Sequence, residues 1–266
     1  MAYSKPPVDV SRPHPARVHD FLLGGRDNYL ADRRAAGELP ARAARAARQD
    51  RAFMHRAVGW LASIGVDQYL DVGSGIPTEP NLHQIVQRVN PACRVVYTDN
   101  DPLVLWHAAA HLISAPQGAT DYLRADLRDP AALLARAREL LDFERPLALS
   151  LIALLHFLPD GDDPHGLVRA LVGALPSGSY VALSHGTPPA APEAAYGTGT
   201  ARATPAPPAA PRQVIPYGRS RAETGRFFAG LELVAPGLVA APLWYKNTPP
   251  PEDETADSLA GVARVP

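Results

Sequence analysis

The sequence predicts an α/β fold, with a mostly parallel β-sheet covered by helices on both faces. Apolar segments of strand length alternate with amphipathic segments along the chain, and this alternation is typical of right-handed β-α-β crossovers. Asp-Pro pairs at 101–102, 129–130 and 163–164 predict three helix starts, because aspartate caps a helix and proline suits its first turn. The apolar run at 147–155 predicts a central strand that is buried on both faces.

The length and the composition favour one large core and limit the classes of partner. The chain has 266 residues, 46% of them hydrophobic, which suits one α/β core with additions. A net charge of −1 argues against nucleic acid or an anionic membrane as the partner. The single cysteine, Cys93, can form neither an internal disulfide nor a thiolate cluster, so we expect a core thiol and no metal.

The first residues, MAYSKPPVDV, lack the apolar segment of a secretory signal. No apolar run approaches the ~18 residues that a membrane-spanning helix needs. We therefore expect a cytoplasmic protein.

The rest of the chain is organised around residues 68–81, QYLDVGSGIPTEPN. An apolar strand containing Tyr69 leads into Gly73 and Gly75, which permit a tight turn where a ligand can approach the backbone. A helical pattern follows, with Thr78 as its expected N-cap. Strand, glycine turn and helix together are typical of a nucleotide pocket.

The charge of this segment indicates which nucleotide it suits. Asp71 stands at the mouth of the turn, where a carboxylate repels phosphate and attracts an ammonium or sulfonium group. The dinucleotide fingerprint also requires a third small residue at position 78, which is Thr78 here. A zwitterionic adenosine ligand without phosphate fits better than a dinucleotide.

Two further acidic residues end later strands. Asp99 closes the second strand, about 20 residues beyond the glycines, where a carboxylate accepts hydrogen bonds from ribose hydroxyls. Asp126 ends the next strand and is placed to accept a hydrogen bond from an adenine amino group.

The series DVGSG, VVYTDND, YLRADLRD and ALSLIALLHFLPD resembles class I S-adenosylmethionine-dependent methyltransferases. The opening RPHPARVHDFLLGGRDNYLADR and the later LSHG and RSRAETGRFFAGLELVAPGLV are similar to an actinobacterial methyltransferase family, formerly a domain of unknown function. The resemblance covers residues 11–245. It implies a Rossmann-like, seven-stranded sheet with an N-terminal helical extension, and S-adenosyl-L-methionine as the cofactor.

The resemblance also implies which motif positions bind the cofactor: Asp71, Gly73, Ser74, Gly75, Asp99, Asn100, Asp126 and Leu127. One position departs from the acid-x-G-x-G-x-G pattern, because Pro77 replaces the third glycine. Proline fixes φ and lacks an N–H donor, so we expect the loop at 76–80 to hold the methionine moiety differently.

Three residues are weaker site candidates. His156 follows the central strand, so it is a candidate general base, although a histidine there can equally cap the strand or line the pocket. Asn28 and Tyr29 follow a glycine pair. The turn either caps the next helix, through Asp27 or Asn28, or forms a lid over the cofactor or the substrate.

We divide the chain into an arm and helical cap at 1–64, a cofactor-binding domain at 65–245 with a flexible insertion at 187–218, and a disordered tail at 246–266. The last two strands, at 231–234 and 238–244, are expected to form a hairpin containing an antiparallel edge strand. The arginines of 33–56 are expected on a solvated helical face.

Three functions remain open from sequence. The leading hypothesis is methyl transfer to a small-molecule acceptor. The others are a non-catalytic S-adenosylmethionine-binding regulator and, disfavoured by Asp71 and the missing third glycine, a nicotinamide-dependent oxidoreductase. The acceptor and the oligomeric state do not follow from the residues.

Overall fold

The computed structural model describes residues 9–111, 113–188, 217–244 and 257–266. It has a mixed, mostly parallel sheet of eight strands between helices. The strands are β1 Gln68–Val72, β2 Arg94–Asp99, β3 Ala119–Arg124, β4 Ala148–Leu151, β5 Tyr180–Gly186, β6 Glu232–Leu233, β7 Val239–Ala240 and β8 Ser258–Arg264. The helices are α1 Pro15–Leu22, α2 Leu30–Gly37, α3 Arg42–Ser63, α4 Leu82–Val89, α5 Pro102–His111, α6 Pro130–Ala137, α7 Pro164–Val172 and α8 Arg221–Gly225.

The strand order is β3-β2-β1-β4-β5-β8-β6, with β7 also pairing with β8. Strands β1 to β5 are parallel to one another, whereas β8 is antiparallel to β5, β6 and β7. The parallel core and the central β4 confirm the α/β fold predicted from sequence.

The sheet is buried on both faces. One face packs against α6, α7 and a turn that carries Phe227 and Phe228. The other packs against α3, α4 and Trp244, whose ring meets that of Phe53 edge-on at 5.4 Å. Cys93 is buried in this second cluster, as expected for a core thiol.

The helix starts were largely predictable. Helices α5, α6 and α7 each begin at the proline of an Asp-Pro pair. The carboxylates of Asp129 and Asp163 accept hydrogen bonds from the amides of Ala132 and Gly166. The N-cap expected at Thr78 is wrong, because α4 begins at Leu82 and Asn81 caps it in a capping box with Gln84.

The C-terminal segment differs most from the structure predicted from sequence. Residues 258–264, expected in a disordered tail, form β8 and are mostly buried between β5 and β6. Strands β6 and β7 both pair with β8 rather than with each other, so the hairpin prediction is wrong and the sheet has eight strands instead of seven. The domain boundary at 245 is therefore also wrong.

The sequence of β8 explains why it was missed. Its buried positions include Ala260, Gly261 and Ala263, whose small side chains give a weak apolar signal. A Cβ on Gly261 would lie 3.2 Å from the Phe228 ring and 3.5 Å from the Leu238 backbone. The small residues thus allow close packing. The predicted insertion at 187–218 lies outside the described residues, apart from its ends.

Three arginines of α3 make specific contacts, whereas Arg48 is exposed, as expected for a solvated face. Arg45 donates to Asp257 at 2.5 Å, and Arg56 donates to the carbonyls of Trp244 and Ala241. Arg51 donates to the carbonyls of Thr78 and Pro80. These long-range contacts connect α3 to segments that composition alone does not place near it.

We predict that Gly261→Val lowers the free energy of unfolding by about 1–3 kcal/mol, because a branched side chain overpacks against Phe228 and Leu238. Urea unfolding measures the change. Gly37→Ala, where a Cβ meets no atom within 4 Å, is the matched control and is expected to be close to neutral. Unchanged stability of Gly261→Val would contradict the position of β8.

Candidate active site

A cavity lies at the carboxyl ends of β1, β2, β3 and β4. This first cavity encloses about 1190 Å³ of empty space, part of it open to solvent. Its floor consists of the segments that follow the four strands, and α1 and α3 contribute to its walls. Ligands of open α/β sheets bind at this edge.

The glycine turn that follows β1 needs its glycines. Gly73 and Gly75 have φ of 72° and 67°, in the left-handed region that residues with a Cβ rarely adopt. A Cβ on Gly73 would also lie 2.4 Å from a methyl carbon of Leu154. A side chain at position 73 would therefore be both strained and in collision with the segment after β4.

The turn is held by the end of β2. The carbonyl of Thr98 accepts hydrogen bonds from the amides of Gly73, at 2.8 Å, and Ser74, at 3.0 Å. The Gly75 amide donates to Oδ2 of Asp99 at 3.0 Å. Adjacent parallel strands thus fix the backbone that borders the cavity.

The loop beyond the turn is held from α3. The Arg51 guanidinium donates to the carbonyls of Thr78 and Pro80, and the Thr78 amide donates to Oδ1 of Asn81 at 3.1 Å. Pro77 directly precedes the segment that these hydrogen bonds hold. Arg51 is therefore the residue that shapes the loop in which proline replaces the usual glycine.

Two carboxyl groups on the floor have raised pKa values. Burial raises the pKa of Asp71 to about 6, although the Ser150 hydroxyl and the charge of Arg51 oppose the change. Burial also raises the pKa of Asp99 to about 6, against hydrogen bonds from the backbone amides of Asp101 and Gly75. A bound cation or hydrogen-bond donors would stabilise the ionised form of both carboxyl groups.

Asn100 and Asp126 form the next part of the wall. Nδ2 of Asn100 donates to Oδ2 of Asp126 at 2.9 Å. Oδ1 of Asp126 accepts from the Arg128 amide at 3.0 Å, and Nε of Arg128 donates to Asp162 at 2.7 Å. The carboxylate of Asp126 is thereby held in a defined orientation beside the cavity.

All eight residues that the resemblance assigns to the cofactor border the first cavity. One lies in β1 and three follow that strand, two lie at or just beyond the end of β2, and two lie in the segment after β3. They are Asp71, Gly73, Ser74, Gly75, Asp99, Asn100, Asp126 and Leu127.

His156 does not border the first cavity. It is buried, accepts a 3.4 Å hydrogen bond from the Gly186 amide at Nδ1, and packs edge-on against the rings of Phe157 and His185. Burial lowers its pKa well below the ordinary value. The neighbouring Phe157 borders the first cavity instead. The short helical turn after β4 directs His156 towards β5 and away from the first cavity, and its role as a general base stays a prediction.

Asn28 and Tyr29 do not border the first cavity either. Nδ2 of Asn28 donates to Asp20 at 2.7 Å, and its Oδ1 accepts from Arg33 at 2.7 Å. The Tyr29 amide donates to the Asp32 carboxylate at 2.8 Å, at the start of α2. Capping thus involves Asp32 instead of Asp27 or Asn28, and a lid role for Asn28 and Tyr29 stays a prediction.

The wall residues contributed by the N-terminal helices were not predicted from the sequence. His14 and His19 border the cavity from α1 and its cap, and Asp50 and Met54 do so from α3. The available signals were weak: the histidines lie in the shared opening motif, and Asp50 is a lone acidic residue in an arginine-rich segment.

A buried ionic cluster holds α1 over the cavity. Nε of Arg17 lies 3.4 Å from Asp101 and 3.6 Å from Asp32, and the side chains of all three are nearly inaccessible. The His14 amide donates to Asp32 at 2.9 Å. Since Asp101 follows β2, this cluster connects the helical cap directly to the floor of the site.

The described residues contain neither a candidate metal site nor a membrane-spanning helix. Among residues 9–111, 113–188, 217–244 and 257–266, no group of three His, Cys, Asp or Glu side chains is arranged to hold a metal ion. No helix in the same ranges is long and apolar enough to cross a membrane.

The open sheet, the glycine turn and the acidic residues near the carboxyl ends of β1 and β2 together define a Rossmann-like S-adenosylmethionine-dependent methyltransferase. Residues 1–266 match the model of the S-adenosyl methyltransferase family, and the chain belongs to that family. It is thus a methyltransferase whose cofactor is S-adenosyl-L-methionine. None of the curated proteins matches the sequence.

Solved structures agree with this assignment. A DUF574 family protein from Streptomyces avermitilis is 40% identical, with a TM-score of 0.84, over 97% of this chain and 99% of its own. A Thermobifida fusca protein with a provisional methyltransferase assignment is 33% identical, with a TM-score of 0.82, over 100% and 99%. Both organisms are actinobacteria.

A more distant structure supports the fold alone. It is the N-methyltransferase NodS from Bradyrhizobium japonicum in complex with S-adenosyl-L-homocysteine. It is 13% identical, with a TM-score of 0.51, over 94% of this chain and 99% of its own.

We predict that Gly73→Ala weakens binding of S-adenosylhomocysteine at least tenfold, because the Cβ displaces Leu154 and strains the turn. Calorimetry measures the affinity. Gly230→Ala is the matched control: φ is +81° there, so the strain is similar, but a Cβ meets no atom within 4 Å. Equal affinity losses in the two variants would contradict a specific role for the turn.

Proposed function

We propose that the enzyme methylates a small-molecule acceptor and binds S-adenosylmethionine in the first cavity. The observation that carries the proposal is the convergence of all eight motif residues on this cavity. Three of them are the carboxyl groups of Asp71, Asp99 and Asp126. This acidic floor suits a cationic adenosine ligand and disfavours the phosphates of a nicotinamide dinucleotide.

Each part of the cavity suits one part of the cofactor. We assign the amino acid end to Asp71 and the glycine turn, the ribose hydroxyls to Asp99, and the adenine to Asp126 with Leu127. Asn100 orients Asp126 through its 2.9 Å hydrogen bond. A carboxyl group such as Asp71, whose pKa burial raises to about 6, is stabilised in its ionised form by an adjacent ammonium group.

The protein contributes alignment and exclusion of water. The cofactor supplies an electrophilic methyl group and its own leaving group. The braced turn at 73–75 and the Arg51-bound loop hold one end of the cavity, and α1 covers another part. Fixed placement of two reactants is a large contribution to such a transfer.

The enclosure of the cavity supports a small acceptor. α1 is anchored over the site by Arg17, Asp32 and Asp101, and α3 contributes a further part of the wall. Net charge is −1, so the chain has no general excess of cationic residues for a nucleic-acid substrate. A compact acceptor that enters beside α1 is consistent with both facts.

We predict that Asp99→Asn weakens cofactor binding roughly 10- to 100-fold, because hydrogen bonds to a charged group contribute about 1.5–3 kcal/mol. Calorimetry with S-adenosylhomocysteine measures the affinity, and circular dichroism checks the fold, since Asp99 also braces Gly75. Asp121→Asn, an exposed aspartate on β3, is the control. Unchanged affinity of Asp99→Asn would refute the proposed site.

We also predict that cofactor affinity falls as the pH is lowered from 7 to 5. The pKa values of Asp71 and Asp99 are raised to about 6, so both carboxyl groups take up protons below that pH, and protonation removes the charge that attracts the cofactor. The loss approaches about tenfold per pH unit for each group. Calorimetry across this range tests it, and Asp71→Asn should flatten the dependence. A wild-type affinity independent of pH would count against it.

A further inference from the structure

A second cavity lies beside the first, and the assignments above do not use it. It encloses about 900 Å³ of empty space, again partly open to solvent. Its walls come mainly from apolar residues of α1, α3 and the segment between α2 and α3. Six of these are Val18, Leu22, Leu39, Pro40, Ala43 and Ala47.

The two cavities share four lining residues: His19, Asp50, Ala153 and Phe157. The cavities therefore meet at this border, and a molecule in the second cavity lies next to a ligand in the first. Ala153 has φ of 54° and its amide donates to Oγ of Ser184, so the backbone at the border is fixed.

Two polar groups at the border have uncommitted atoms. Asp50 is 3% exposed, and its Oδ1 is buried with no hydrogen-bond partner in the described part of the chain. Nε2 of His19 is likewise buried and has no partner among those residues. A buried carboxyl oxygen without a partner is costly unless a ligand satisfies it.

The neighbouring acidic group is already paired. Asp257 also borders the second cavity, and its carboxylate accepts hydrogen bonds from Nε and Nη2 of Arg45 at 2.5 and 3.2 Å. Asp50 is thus the acidic residue at the border whose carboxyl oxygen can accept a hydrogen bond from a ligand. Its place on α3, one turn after Ala46 of the cavity wall, directs it to the same side of the helix.

We infer that the second cavity binds the methyl acceptor, a small molecule with an apolar body, and that Asp50 accepts the proton from its hydroxyl or amine. This inference rests on the proposed cofactor site. In the reaction, the acceptor oxygen or nitrogen forms a bond to the methyl carbon while the carbon–sulfur bond breaks. The electron pair stays on sulfur, giving the thioether, and the acceptor's proton moves to the Asp50 carboxylate.

The titration of the border groups agrees with these roles. Burial raises the pKa of Asp50 to about 7, and the Asp257 charge acts in the same direction, while the Ser258 and Ser184 hydroxyls oppose it. A base is most effective when its pKa lies near the working pH. Burial lowers the pKa of His19 to about 4, with Arg51 adding to the effect, so its imidazole is neutral and suited to orienting the acceptor.

The test uses the full chain loaded with S-adenosylhomocysteine, at pH 8, with 4-methylphenol and toluene as probes. The two probes differ only in the hydroxyl, and phenols ionise near pH 10, so the phenol stays protonated. Ligand-observed NMR titration measures their affinities. The wild type is expected to bind 4-methylphenol at least tenfold tighter than toluene, because a hydroxyl donates a charge-assisted hydrogen bond to the carboxylate.

Three variants separate the parts of the inference. Asp50→Asn should reduce the preference for the phenol at least fivefold and leave toluene binding unchanged. Ala46→Phe, which fills the second cavity, should weaken both probes at least tenfold. Ala44→Phe, on the same helix but outside the cavity lining, should affect neither probe.

The outcomes are distinguishable. Normal S-adenosylhomocysteine binding without phenol binding, a phenol preference that survives Asp50→Asn, or probe binding that survives Ala46→Phe would each overturn the inference and leave the proposed cofactor site intact. Failure of the wild type to bind S-adenosylhomocysteine would instead overturn the proposed function.

Discussion

The site depends on the parallel register of β1 and β2. Val72 is paired with Thr98, so the amides that follow β1 reach the Thr98 carbonyl and the Asp99 carboxylate. A shift of one residue would turn the side chains of β1 to the opposite face. It would also move Asp99 away from the turn. The backbone that lines the first cavity and the acid beside it are therefore set by a single strand pairing.

The acidic groups around this pairing carry a cost in stability. Asp71 and Asp99 have pKa values of about 6 and Asp50 of about 7, all above the ordinary 3.8. At pH values between 3.8 and the raised pKa values, these carboxyl groups are protonated in the folded chain and ionised in the unfolded chain. Their contribution therefore lowers the free energy of unfolding as the pH rises from about 4 to 7. Arg51 offsets part of the cost at Asp71. A cationic ligand or a hydrogen-bond donor would stabilise the ionised form of these three carboxyl groups.

Much of the fold and of the cofactor site could be predicted because the signals are local. Gly73, Gly75, Asp71 and Asp99 each stand at the end of an apolar strand, and parallel strands bring their carboxyl ends to one edge. Asp-Pro pairs mark helix starts for an equally local reason.

The missed features depend on contacts between distant segments. Arg51 reaches the loop at 76–80 from α3. Composition predicted only that the arginines of this helix face solvent. Asp50 and His19 meet at the border of two cavities because α1 packs over α3, which no spacing in the sequence indicates. His156 lies outside the first cavity for a local reason, since the short helical turn after β4 directs it towards β5 and the second cavity.

The position of β8 has a consequence for how the chain folds. This strand pairs with β5, β6 and β7. The Thr187 hydroxyl, just after β5, donates to the carbonyl of Asp257, just before β8 and 70 residues away in sequence. Contacts between distant residues form slowly, because a long loop must close before any pairing is gained. The β1–β4 region, built from short crossovers, is therefore expected to assemble early, and the outer half of the sheet forms in a later step. Until β8 arrives, the free edge of β5 is open to pairing with another chain.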